Sequence, residues 1–152
     1  KTDLNVDLTK KKNVYKLINR TKPKIIINLA SNSDVDGCEK NYKKAFLLNT
    51  KIAQNIAETA PEIYKIQIST DHIYNSSKGS NEKNIQLINN YARTKYLGEL
   101  AYQKSKKKLI IRTNFFGRSL QSDRGIVNWM IKSYKKKETI YVIEDIFLIL
   151  CI

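Results

Sequence analysis

Ile25-Ile26-Ile27-Asn28-Leu29, preceded by Pro23, is a short, continuous, β-branched run. Runs of this kind form strands buried in parallel sheets, because both faces of such a strand are covered. Two further runs follow the same pattern: Ile63–Ile68, alternating apolar and polar, and Leu109-Ile110-Ile111. Between them the periodicity changes to that of helices. From Cys38 to Ala60, Tyr42, Ala45, Phe46, Ile52, Ala53, Ile56 and Ala57 recur at helical spacing, and Pro61 stops the segment. A second long helix is predicted from Asn90 to Lys106 and another near Gly125–Lys136, with Trp129 and Met130 on its apolar side. Val14, Leu17 and Ile18 mark a helix before the first strand, and Ile140–Ile143 reads as a last strand. This alternation implies parallel strands with right-handed crossovers, hence an α/β fold with a doubly wound parallel sheet.

The composition narrows the class. The chain has 152 residues, 41% hydrophobic and 28% charged, which suits one domain. Its two cysteines, Cys38 and Cys151, are too few for a disulfide scaffold and fit a reducing compartment. No apolar run approaches the ~20 residues of a membrane helix, and no signal peptide is visible, so the expected location is cytoplasmic. The formal charge of +14 invites a nucleic-acid reading. However, 23 of the 28 basic residues are Lys, and Asn and Ile are also abundant, as A/T-rich codons would produce. The Lys runs are scattered and lack interleaved aromatics or an Arg fork. A solvated basic surface, with no nucleic-acid or membrane partner, is the reading taken.

In doubly wound sheets ligands sit beyond the carboxyl ends of the strands. Those ends read Asn28-Leu29-Ala30-Ser31-Asn32, Ser69-Thr70-Asp71-His72 and Arg112-Thr113-Asn114-Phe115, all small or polar. Tyr91-Ala92-Arg93-Thr94-Lys95 places a phenol and an ammonium one helical turn apart on one face. A neighbouring ammonium stabilises a phenolate and eases proton exchange near neutral pH. The plainer reading, a Tyr packed on a Lys stem, accounts equally well for that spacing alone. Other residues have plainer readings too. His72, the only histidine, is read as packing. Asp34, Asp36 and Glu39 are read as helix-dipole partners rather than metal ligands, Asn49 as a buried amide bonded to nearby backbone, and Cys38 as inert.

In combination, Asn-Leu-Ala-Ser, Val-Asp-x-x-Glu, Ser-Thr-Asp, Tyr-x-x-x-Lys and Arg-Thr-Asn-Phe-Phe-Gly resemble the extended short-chain dehydrogenase/reductase family. The likeness is greatest to its dTDP-4-dehydrorhamnose reductase and sugar-nucleotide-binding branch. It is carried by Asp7-Leu8-Thr9, Pro23–Asn28, Val35–Glu39, Ser69–Asp71, Tyr91–Glu99 and Arg112–Gly117, and runs from about Asp3 to Asp145. The resemblance implies a Rossmann-like sheet and NAD(P)-dependent reduction of a nucleotide-linked 4-keto sugar, with NADPH or NADH as cofactor. It implies Thr70, Tyr91 and Lys95 as the catalytic group. Asp7, Leu8, Ala30, Ser31 and Asn32 would join Tyr91 and Lys95 around the cofactor. Thr70, Asp71 and Phe115 would contact the sugar nucleotide. No metal is implied, and homodimerisation stays open. The alternatives are a non-catalytic nucleotide-binding regulatory subunit of the same fold and a sugar-nucleotide epimerase or dehydratase. Asp71-His72 in place of an Asp-Glu pair argues against dehydration.

The family's Gly-rich loop and the residue that chooses NAD or NADP do not occur here. Both would lie in a βαβ unit of about 30 residues before Lys1. The expectation is therefore that residues 1–145 are the central part of a dinucleotide-binding domain, without its first strands and most of its C-terminal substrate lobe. Residues 146–152 read as a truncated or aberrant tail.

Overall fold

The computed structural model describes residues 6–74, 81–114 and 126–139. The chain divides into two compact units, Lys1–Thr113 and Asn114–Ile152. In the first unit three parallel strands, β1 (Ile25–Asn28), β2 (Tyr64–Ser69) and β3 (Lys108–Arg112), lie side by side in that order. Helices precede and connect them, as in a Rossmann-like sheet. The first is α1 (Lys11–Thr21), which stops where Lys22 adopts a left-handed conformation just before Pro23. Between β1 and β2 come α2 (Val35–Lys40) and α3 (Tyr42–Phe46), then a π-helical turn (Leu47–Lys51), then α4 (Ile52–Thr59). After β2, a 3-10 turn (Asp71–Ile73) leads towards α5 (Asn90–Leu100).

The expected helix from Cys38 to Ala60 thus starts earlier and is subdivided. Asp34 caps α2 by accepting the Gly37 N–H, and Asn41 leaves helical geometry while its side chain caps α3 through the Lys44 N–H. The helix expected to reach Lys106 ends at Leu100, followed by turns whose carbonyls at Gln103 and Ser105 accept from Lys108 Nζ. In the second unit α6 spans Ile126–Lys136, and Trp129 and Met130, expected on its apolar side, are about half exposed. Phe115 and the expected strand Ile140–Ile143 lie outside the described residues. Among the described residues no helix is long and apolar enough to cross a membrane.

The sheet's two faces differ from the expected pattern. β1 was read as buried, but Ile25 and Ile27 are 55% and 56% exposed, and Leu109 and Ile111 of β3 share that open face. The helical side takes the other parity. Val14, Ile52, Ala53, Ile56 and Tyr102 form the core there, with Ile26 packed against it. On β2 the residues on this side are Lys65, Gln67 and Ser69, all buried. The polar groups of Lys65 and Gln67 survive burial because they find partners, whereas the Ser69 hydroxyl has none among the described residues. Lys65 Nζ donates to the carbonyls of Ala60, Pro61 and Ile63, at 2.6, 3.2 and 2.7 Å, just past the C-terminus of α4. A cation there also complements the helix dipole.

The π-turn and α5 approach each other closely at Gly98. A Cβ on Gly98 would sit 2.5 Å from the Asn49 carbonyl oxygen and 3.5 Å from the Ala53 Cβ. Gly in a helix interior costs about 1 kcal/mol relative to Ala, so contact with a neighbouring backbone explains its use here. Gly98→Ala is expected to lower stability by about 1–3 kcal/mol despite the helix-propensity gain. Urea unfolding reads this as a lower midpoint with an unchanged slope. An equal or higher midpoint would mean the two helices stand further apart.

Candidate active site at the carboxyl ends of the strands

The site is built on the first turn of α5. Asn89 caps the helix by accepting the Ala92 N–H at 2.7 Å. Glu39 of α2 accepts from the Asn90 backbone N–H and, at 2.8 Å, from its side-chain amide. Two elements therefore hold the residue next to Tyr91. Thr94, fully buried, is gripped from the π-turn: Asn49 Nδ2 donates to its Oγ1 at 3.0 Å, and Thr50 Oγ1 donates to its carbonyl at 2.8 Å. Asn49 also accepts the Asn32 N–H at 2.6 Å and donates to the Asn32 carbonyl at 3.2 Å. One side chain thus joins the turn after β1 to the helix that carries Tyr91 and Lys95. This is the buried, backbone-bonded amide expected of Asn49.

Thr70, Asp71 and Tyr91 come together, and Lys95, one turn further along α5, reaches the Ile68 carbonyl of β2. Thr70 is buried at the end of β2, where its Oγ1 accepts the His72 N–H at 3.2 Å. The Tyr91 phenol is half-buried, and burial pushes its pKa up. A hydrogen bond with Thr70 pulls it partly back, while Asp71 and then Cys38 push it further up. The lowering expected from Lys95 is therefore not what this arrangement produces. His72, exposed, packs edge-on against the Tyr91 ring with centroids 5.5 Å apart, in keeping with a packing role. Lys95 is 3% exposed, and its Nζ donates to the Ile68 carbonyl at 2.7 Å. Burial lowers its pKa to about 8, with Glu99 opposing the shift.

The residues expected around a dinucleotide are placed less uniformly. Ala30 is half-buried and its N–H donates to Asn28 Oδ1, Ser31 is exposed, and Asn32 is held by Asn49. Leu8 packs against the core, and Asn55 Nδ2 donates to the carbonyls of Leu8 and Thr9. Asp7 is exposed beside α1 and joins none of Thr70, Tyr91 and Lys95. Its carboxylate accepts from Thr9, which lowers its pKa. Cys38 is fully buried, and its thiol pKa is raised, chiefly by burial. Phe115 lies outside the described residues.

A nicotinamide coenzyme fits the donor set present. Among the described residues, Lys95 Nζ makes a single hydrogen bond, and an ammonium has three donors. Two adjacent ribose hydroxyls would complete its set, and the small Ala30 and exposed Ser31 leave the neighbouring turn open to phosphate groups.

Several residues around the site were assigned no role from sequence. Arg112 forms a two-pronged ion pair with buried Glu99, at 2.7–3.1 Å. It also donates to Tyr74 Oη and the Glu82 carbonyl, which fastens the segment leading to α5. A sequence signal for Glu99 existed: it follows Lys95 by four residues and Tyr91 by eight, on one face of the helix. Gln67 had a weaker one, the alternation of Lys65, Gln67 and Ser69.

Because folding lowers the Lys95 pKa from its ordinary 10.5, the unfolded chain binds this proton between about pH 8 and 10.5 while the folded chain does not. This group therefore adds stability as pH rises through that window. Lysine side-chain carbon NMR, with Lys95→Met to assign the signal, is expected to show a midpoint near 8. A midpoint near 10 would contradict the burial of the ammonium.

Comparison with known proteins identifies the family. Residues 2–148 match the family described as the RmlD substrate binding domain. The chain is 29% identical over 147 residues to a dTDP-4-dehydrorhamnose reductase of Aggregatibacter actinomycetemcomitans, covering 92% of this chain and 49% of that protein. It is 30% identical over 154 residues to the dTDP-4-dehydrorhamnose reductase of Escherichia coli K12, covering 96% and 50%. The crystal structure of dTDP-4-dehydrorhamnose reductase from Bacillus anthracis in complex with NADP superposes with a TM-score of 0.80 at 29% identity, over 88% of this chain and 49% of that one. The chain spans about half the length of the curated relatives it matches. With the family matched over nearly all its residues, the chain belongs to the RmlD substrate-binding domain family.

Proposed function

We propose that this chain supplies the nicotinamide-and-sugar end of an NAD(P)-dependent reductase acting on a nucleotide-linked 4-keto sugar, of the dTDP-4-dehydrorhamnose reductase type. The observation that carries the reading is that Thr70, just after β2, acts on the Tyr91 phenol, while Lys95, one helical turn after Tyr91, is bound through Nζ to the Ile68 carbonyl near the end of β2. The named relatives and the NADP complex of the Bacillus anthracis reductase support it. Within this reading, residues 1–145 belong to the central part of the dinucleotide-binding domain.

The chemistry follows from the residues. A phenol whose pKa is raised stays protonated at neutral pH, so Tyr91 holds a proton ready for a sugar keto oxygen. Thr70 Oγ1 stands beside that phenol and orients the same oxygen. Lys95, with a pKa of about 8, is mainly an ammonium at pH 7. It presents its remaining donors to ribose hydroxyls. When bound, NADPH or NADH supplies the hydride. Asp71, half-buried next to Thr70, is placed to accept hydrogen bonds from sugar hydroxyls.

The test is oxidation of NADPH and NADH by the protein containing this chain, with a dTDP-4-keto sugar. Tyr91→Phe is expected to lower kcat by at least ~100-fold, the scale of general acid catalysis, while coenzyme still binds. An unchanged rate would remove Tyr91 from the chemistry.

A further inference from the structure

Beneath the site, the helical side of the sheet carries amides where aliphatic side chains would be cheaper to bury. Asn28 and Gln67 stand opposite each other in the β1–β2 register and are 5% and 1% exposed. They form a directed chain of hydrogen bonds. The Ala30 N–H donates to Asn28 Oδ1 at 3.1 Å, Asn28 Nδ2 donates to Gln67 Oε1 at 2.8 Å, and Gln67 Nε2 donates to the Ile68 carbonyl at 2.9 Å. That same carbonyl accepts Lys95 Nζ at 2.7 Å. A carbonyl oxygen has two lone pairs, so the Gln67 amide and the Lys95 ammonium share it fully. The chain runs from the turn after β1 to the ammonium through the buried amides of Asn28 and Gln67.

We propose that Gln67 is a positioning residue for Lys95: it shares the Ile68 carbonyl with the ammonium and, through Asn28, ties it to the backbone of the Ala30 turn. The proposal deepens the reductase reading, since it concerns the lysine assigned there to the ribose. Hydrogen bonds in a buried chain polarise one another, so a change at the Ala30 N–H reaches the Ile68 carbonyl. When Gln67 draws less on that carbonyl, the ammonium binds it more strongly and keeps its proton to higher pH. The charge acting on Lys95 is Glu99, on its own helix and paired with Arg112 of β3. Tyr91 stands one turn before Lys95. Asp71 and His72 of the 3-10 turn and Cys38 of α2 act on Tyr91.

The experiment is an NMR pH titration of the full chain that follows the Gln67 side-chain amide and the Lys95 side-chain carbon together. The Gln67 amide protons are expected to shift with the Lys95 midpoint; a Gln67 signal flat through that midpoint overturns the proposal. In Gln67→Met the Ile68 carbonyl serves the ammonium alone, and the Lys95 midpoint is expected to rise by about half a pH unit or more. An unchanged or lowered midpoint overturns it. If the variant does not fold, the wild-type titration decides alone. Neither readout needs turnover. An inactive reductase with coupled titrations defeats the reductase reading alone, and an active one with uncoupled titrations defeats the role of Gln67 alone.

Discussion

The side-chain amide of Asn49 is the interaction on which the site depends. It sits in a π-helical turn, a local widening that often marks functional positions, and is 2% exposed. Its oxygen accepts from the Asn32 backbone and its nitrogen donates to both Asn32 and Thr94. No apolar side chain could make those bonds, and an aspartate would lack the donors. The backbone at the same residue crowds Gly98, so the helix bearing Tyr91 and Lys95 is fixed at one point by a side chain and at another by a main chain. The turn after β1 and the first turns of α5 are thereby held in one geometry.

A polar interior surrounds that clamp. Lys65, Gln67, Lys95, Glu99 and Asn28 are all nearly inaccessible, and each has hydrogen-bond partners. Buried ion pairs are weak evidence of stability, because desolvation offsets much of the attraction. Their value here is placement. Arg112 is held by Glu99, Tyr74 and the Glu82 carbonyl, and it binds the strand end to the segment that enters α5. Lys65 closes the C-terminus of α4 in the same way at the opposite end of β2.

The parallel sheet was legible because β-branched runs alternate with helical periods. Ile25–Leu29 and Leu109–Ile111 fall within one residue of β1 and β3 at each end, and Ile63–Ile68 is one residue early for β2. The side of the sheet that each strand buries was not legible. Hydrophobicity assigns Ile66 and Ile68 inward, yet Lys65, Gln67 and Ser69 lie inside, and for Lys65 and Gln67 hydrogen bonds there replace hydration. The Tyr91–Lys95 pair was readable from its four-residue spacing, because a helix puts such residues on one face. Its proton affinities were not, because burial is the largest influence on both groups and is a property of the fold alone. Likewise Glu39 read as a dipole partner of its own helix, while its carboxylate in fact clasps Asn90 across the site.

The central claim, that Asn49 locks the turn after β1 to the helix bearing Tyr91 and Lys95, is tested most directly by native-state hydrogen exchange at the Asn32 amide. Ser31 and Ser33 on either side are exposed, so protection at Asn32 has to come from its bond to Asn49. The account predicts that Asn32 exchanges only through cooperative opening, at a rate matching the buried amides of the π-turn and α5. Exchange at Asn32 as fast as at Ser31 and Ser33 would contradict it, for the turn would then move independently of the helix.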